Sequence, residues 1–277
     1  MTIPHLKSVQ CVSPVGLHNM AYKQWGDPHN PNVLVCVHGL ARVSDDFDVM
    51  ARELSDVYRV VCPDVVGRGR SDRLRDPRFY VLPQYVSDMV TLLARLDAET
   101  VDWFGTSMGG LIGMGLASMQ GNPVRKLLLN DVGSAVNPPA LARIGEYLGK
   151  LVRFASFDEA AHYIKAISAP FGPHTDEEWR KLAADALRQD HEGQWILHYD
   201  AGIAVPIKAM TPESMQRDAA LLEATYDAIT CKTLVVRGAE SDLLTLEVAQ
   251  AMTQRGPKAA LVEIPGVGHA PTFVHAG

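Results

Sequence analysis

Short apolar runs rich in β-branched residues alternate along this chain with longer stretches of helical periodicity, and few folds accommodate that alternation. Val33 to Val37, Val57 to Cys62, Val101 to Phe104, Leu127 to Leu129, Leu234 to Val236 and Ala260 to Ile264 predict strands. Their near-continuous apolar character suits strands buried on both faces. Helical periodicity falls between them, at Asp45 to Leu54, Leu82 to Leu96, Leu111 to Met119 and Leu246 to Gln254. The pattern predicts an α/β protein with a mostly parallel sheet and helices on both sides. Lys7 to Val12 and Met20 to Trp25 predict an antiparallel hairpin at the sheet edge.

The rhythm stops after Asp131. From Gly133 to about Met215 the chain reads as helix and turn with no good strand, punctuated by Pro138-Pro139, Gly172-Pro173, Pro206 and Pro212. A helical insertion between two strands of one sheet describes this economically. Residues 1–132 and 216–277 then form the core and residues 133–215 a cap over the end of the sheet. Of the cap aromatics Phe154, Phe157, Tyr163, Phe171, Trp179, Trp195 and Tyr199, most are expected to pack the insertion onto its host and a minority to line a pocket.

Composition removes several function classes. The 277 residues carry a net charge of -6, and the isoelectric point is near 5.9. A nucleic-acid or anionic-membrane binder would want a basic face instead. Cys11, Cys36, Cys62 and Cys231 form no C-x-x-C pair, and three lie in strand-like runs, which fits buried free thiols in a reducing compartment. The first residues lack the apolar segment of a secretory signal, and no apolar run approaches the ~18 residues of a membrane span. The expectation is a cytoplasmic protein.

Chemistry enters at Gly105-Thr106-Ser107-Met108-Gly109, directly behind one strand-like run and directly before a helix-like one. A serine on so sharp a turn leaves no room for side chains two residues either side, hence Gly105 and Gly109. The turn also delivers the Ser107 hydroxyl to the start of a helix, where free N–H groups favour negative charge. Serine needs a base and an orienting group behind the base. His269 follows the last strand-like run and a glycine-bracketed turn, which puts it on a loop at the Ser107 end of a parallel sheet; His275 is the rival. Asp242, on the loop after Leu234 to Val236, is the preferred acid. Asp131, ending the neighbouring strand, and Glu240 are the alternatives.

An oxyanion formed at Ser107 needs backbone donors. Met108 supplies one N–H, and Leu40, in the loop His38-Gly39-Leu40, is the expected second. Gly39 lets that backbone come close, and His38 is expected to hold the loop rather than to bind a metal. The stretch Asp64-Val65-Val66-Gly67-Arg68-Gly69-Arg70-Ser71 lacks the ending of a phosphate-binding loop, so it reads as a turn-rich structural segment.

Together His38-Gly39, Asp64-x-x-Gly67-x-Gly69-x-Ser71, Gly105-x-Ser107-x-Gly109-Gly110, Asp242 and Gly268-His269 resemble the α/β-hydrolase superfamily, in particular its capped bacterial members. The resemblance runs from about Tyr22 to His269. It implies a mostly parallel sheet of about eight strands, a cap inserted after the sixth, and a cofactor-free and metal-free Ser107–Asp242–His269 hydrolase. The family usually adds a closing helix after the histidine, and the few residues beyond His269 depart from that pattern. A serine at the elbow sets aside the epoxide- and halide-directed relatives, which use aspartate.

The function expected is hydrolysis of a carboxylic ester of small to medium acyl length, with a small-molecule ester as partner and self-association as a homodimer left open. The alternatives are a C–C bond hydrolase for a vinylogous diketone and a receptor-like ligand binder. The C–C reading wants a cationic cap group for a substrate carboxylate, with Arg143, Arg153, Lys165 and Arg188 available.

Overall fold

The computed structural model describes residues 3–274. Two strands, β1 (His5–Ser13) and β2 (Gly16–Trp25), open the chain as an antiparallel hairpin. Then come β3 (Val33–Val37), α1 (Asp48–Leu54), β4 (Arg59–Pro63), α2 (Leu82–Arg95), β5 (Val101–Thr106), α3 (Met108–Ala117) and β6 (Val124–Asn130). After a long insertion, β9 (Lys232–Gly238), α9 (Leu246–Met252) and β10 (Ala260–Ile264) complete the core. Eight strands lie in the order β1-β2-β4-β3-β5-β6-β9-β10. β2 runs antiparallel to β4, and every pairing from β4 to β10 is parallel.

Both faces of the central strands are covered, and the residues sort by parity. Val35 and Val37 on β3, Val61 on β4 and Trp103 on β5 join the large core beneath α2 and α3. Their neighbours Cys36, Val60, Cys62 and Phe104 join the opposite cluster with Trp25 and Phe47. Side chains alternate across a strand, so only a run with no polar break can fill two apolar layers at once. That is why these strands were continuous in the sequence rather than alternating.

The insertion between β6 and β9 carries α4 (Pro138–Tyr147), α5 (Phe157–Ile167), α6 (Asp176–Ala186), α7 (Ala204–Lys208) and α8 (Pro212–Asp227). It is not wholly helical. β7 (Leu187–Gln189) and β8 (Trp195–Leu197) form a small antiparallel hairpin, with Leu187 opposite Leu197. Three residues per strand are too few to show a period of two. α8 also runs across the expected boundary between residues 215 and 216, begun by Thr211 and Ser214 in a reciprocal cap. Its far end sits on the core, where buried Tyr226 donates to the Met252 carbonyl at 2.7 Å.

Register gathers four strand ends along one edge. Val37 lies beside Gly105, Thr106 beside Asn130, and Asn130 beside Val236. The loops that follow β3, β5, β6 and β9 therefore meet in one place. No described helix is long and apolar enough to cross a membrane.

Candidate active site

Ser107 stands between β5 and α3 with φ 52° and ψ -115°. A non-glycine residue in that region is strained and persists only where its surroundings hold it. Gly105 and Gly109 supply the hold by having no side chains. A Cβ on Gly105 would come within 2.3 Å of the Gly109 backbone, and one on Gly109 within 2.0 Å of the Val37 carbonyl oxygen. Trp103 pins the turn by donating its indole N–H to the Gly109 carbonyl at 3.0 Å.

His269 Nε2 lies 3.0 Å from Ser107 Oγ, and its Nδ1 lies 2.7 Å from an oxygen of Asp131. Nδ1–H donates to the carboxylate, leaving Nε2 free to accept the serine proton. The acid hydrogen-bonded to the histidine is thus Asp131, the first of the sequence alternatives, and not the preferred Asp242. Asp131 is fully buried and also accepts from the Gly238 N–H (2.8 Å) and the Ser241 hydroxyl (2.6 Å).

The reason lies in the loop after β9. Asp131 directly follows β6, next to the end of β9, with its N–H donated to the Val236 carbonyl at 2.7 Å. The β9 loop bends over it, and the Ser241 hydroxyl takes the place on Asp131 that closes the site. Asp242, the next residue, is turned outward to the cap, half exposed, where Arg143 grips it through Nε and Nη2, both at 2.9 Å. Ser241 was missed in the sequence. A serine beside a loop aspartate carries no signal until the neighbouring strand is known. His275 lies outside the described residues.

The loop after β3 approaches the serine from the other side. A Cβ on Gly39 would sit 3.7 Å from Ser107 Cβ. His38 is fully buried, with Nδ1 2.7 Å from the Gly39 carbonyl and Nε2 accepting the Val65 N–H at 3.0 Å. Both ring nitrogens are used by one neutral tautomer, and burial pushes its pKa below the usual histidine value. The 64–71 segment braces this loop. Arg68 donates to the Leu40 carbonyl at 2.9 Å, while Asp64 accepts from the Ser44 and Arg70 N–H groups at 2.7 and 2.9 Å. The N–H groups of Leu40 and Met108 have no acceptor among the described residues, so two backbone donors stand free beside Ser107.

A cavity of about 120 Å³ opens onto Ser107 and His269 between core and cap. Its walls are largely apolar, including Leu40, Ile144, Ile164, Phe171, Leu197 and Tyr199. Of the seven cap aromatics singled out in the sequence, Phe171 and Tyr199 reach it, as does Tyr147, which was not among them, while Phe157 packs on Trp195 and Phe154 on Tyr163. Of the four cap cations considered for a substrate carboxylate, Arg143 lines the cavity. Arg153 pairs with Glu192 and Lys165 with Asp176 on the surface, and Arg188 is exposed.

Away from the cavity, Cys11, His18 and Asp88 have ligand atoms close enough to hold a metal ion. Those atoms are already engaged. His18 Nε2 meets Asp88 at 2.9 Å, Gln84 donates to the other carboxylate oxygen at 2.7 Å, and burial pushes the Cys11 thiol up to about 12.

Known proteins share this framework. The family model for the alpha/beta hydrolase fold matches residues 32–276. The chain is 58% identical over 274 residues to a 3-hydroxybutyrate-oligomer hydrolase of Cupriavidus necator, covering 98% of this chain and 94% of that one. It is 29% identical over 232 residues to a 2-hydroxymuconate semialdehyde hydrolase of a Pseudomonas species, covering 81% and 74%. An alpha/beta hydrolase structure from Novosphingobium aromaticivorans superposes with a TM-score of 0.81 at 33% identity, covering 97% and 93%. With its eight-stranded sheet, its serine at the strand-to-helix turn and this likeness along nearly its whole length, the chain belongs to the α/β-hydrolase fold family and is a hydrolase.

Proposed function

We propose that this hydrolase cleaves carboxylic esters of short hydroxyacid oligomers, of the 3-hydroxybutyrate type, through an acyl-enzyme on Ser107. The observation that carries the reading is the hydrogen-bonded series Ser107–His269–Asp131 opening onto an apolar cavity. His269 Nε2 takes the Ser107 proton as Oγ attacks the ester carbonyl, and Asp131 holds the imidazole and stabilises its cation. The Leu40 and Met108 N–H groups receive the oxyanion. The C–O bond then breaks, and the proton on Nε2 passes to the leaving alkoxide. Water, giving its proton to the same nitrogen, attacks the acyl-enzyme and restores Ser107.

Two observations narrow the substrate. The relative with 58% identity is named for an oligoester of this kind. The cavity of about 120 Å³ is close to the ~150 Å³ that encloses a benzene-sized ligand, which suits one short acyl unit.

Initial rates on p-nitrophenyl acetate, butyrate and octanoate and on the 3-hydroxybutyrate dimer, for wild type and Ser107→Ala, test the reading. The expected result is turnover of the dimer, with acetate and butyrate ahead of octanoate. All of it should fall by several orders of magnitude in the variant. Ester turnover that survives the substitution would sink the acyl-enzyme. Bleaching of a ring-cleavage dienone in place of ester turnover would favour the C–C reading.

A further inference from the structure

Arg143 does more than hold Asp242. Its Nε and Nη2 are occupied by that carboxylate, while Nη1 makes no hydrogen bond among the described residues. One helical turn further along α4 stands Tyr147, whose hydroxyl also has no partner among the described residues. Burial raises its pKa, so the phenol keeps its proton and stays a donor. Both residues line the cavity that opens on Ser107. Two residues with unfulfilled donors, one of them cationic, therefore border the cavity that opens on Ser107.

Arg42 reaches the same cavity and is the other candidate for binding an anion. Its Nε and Nη2 are held by Asp46 much as Arg143 is held by Asp242, and Nη2 also donates to the Leu182 carbonyl at 3.1 Å; the two sites differ in the carboxylates around them. Asp45 and Asp185 add further negative charge around it. A substrate carboxylate would be repelled there.

We infer that Arg143 and Tyr147 form a subsite for the free carboxylate of a short oligoester, making the enzyme selective for free-acid oligomers over neutral esters. This rests on the ester reading above and adds the recognition of one chain end. In a dimer of a 3-hydroxyacid, one oxygen and two carbons separate the ester carbonyl from the carboxylate. The carboxylate of the leaving unit therefore stays within reach of the cavity's border when the carbonyl is at Ser107. The apolar walls take the acyl unit, and the half-exposed guanidinium takes the acid of the leaving unit. A charged hydrogen bond of this kind is expected to contribute roughly ten- to a hundredfold in kcat/KM.

The test compares the 3-hydroxybutyrate dimer with its terminal carboxamide, a neutral compound of nearly the same shape, by chromatographic release of monomer. Wild type is expected to prefer the free acid by tenfold or more. Arg143→Met should lose most of that preference through a raised KM on the acid, with a far smaller change on the amide, and Tyr147→Phe should lose part of it. Asp242→Asn, which removes the competing carboxylate but keeps the arginine, should retain or enlarge the preference. Equal losses on both compounds in Arg143→Met would reduce Arg143 to a cap contact and overturn the inference. So would a wild type indifferent to the charge while still cleaving both esters. Failure to cleave either compound would remove the ester reading and this subsite together.

Discussion

Asp131 and Asp242 lie on loops at the same sheet edge and differ in everything that matters to a histidine. Asp131 is fully buried and accepts three hydrogen bonds, from His269, Gly238 and Ser241. Asp242 is held by Arg143 on the cap side. Asp131→Asn should lower kcat by roughly 10³- to 10⁴-fold, because an amide cannot stabilise the imidazolium or hold the same tautomer. Asp242→Asn should leave kcat on p-nitrophenyl butyrate within a few-fold of wild type. Ser241→Ala should lie between them, lowering kcat by about tenfold at unchanged KM, since it removes one charge-assisted bond to Asp131 and nothing that faces substrate. Steady-state kinetics on the three variants checks the ranking. A large loss in Asp242→Asn beside an active Asp131→Asn would reverse the assignment.

At the scale of elements, β5, the turn at Ser107 and α3 act as one piece. α3 seats directly on β5 and β6, and no side chain separates Gly109 from the end of β3. Gly109→Ala would place a methyl group 2.0 Å from the Val37 carbonyl oxygen, so β3 and α3 must part. Urea unfolding should show a loss on the order of 3 kcal/mol, from overpacking against backbone that cannot rotate away. Activity should fall with it, because Val37 leads into the loop that carries Leu40. Wild-type stability in this variant would mean that the close approach is not a constraint. The 64–71 segment belongs to the same unit, through the bonds from Arg68 to Leu40 and from Val65 to His38.

The whole molecule is a core and an insertion that meet over the site, and charge is buried in that contact. Asp185 on α6 lies beside Asp46 of the core and Lys181 of its own helix. Burial raises its pKa from an ordinary 3.8 to about 6. Between those values the folded chain keeps a proton that the unfolded chain has released. The Asp185 contribution to stability is therefore most favourable at low pH, declines as pH rises from about 4 to about 6, and is level above. Asp185→Asn should remove the decline. Its thermal midpoint should exceed that of wild type at pH ~8, by the equivalent of up to roughly 3 kcal/mol, and match it near pH ~4. A variant less stable than wild type at both pH values would show that the pair with Lys181 outweighs the burial.

Continuity of hydrophobic runs determines the central parallel strands from the sequence alone, because a strand covered on both faces tolerates no polar break. The strand Val33–Val37 falls where the sequence placed it; Ala260–Ile264 also falls where it was placed, but as a largely exposed edge strand rather than a doubly covered one. Ser107 with its flanking glycines was equally legible, since that turn leaves no freedom in its residue types. So was His269, which the last strand delivers to the same edge. The acid was a different matter. Two loops from adjacent strands, β6 and β9, each brought a carboxylate to the edge, and chain order cannot say which one turns inward. That depends on the bend of the β9 loop, which puts Ser241 on Asp131 and sends Asp242 to Arg143. The small β7–β8 hairpin and the cavity-facing side of α4 were hidden for a related reason. Their positions follow from packing between distant segments, and no local pattern in the sequence records it.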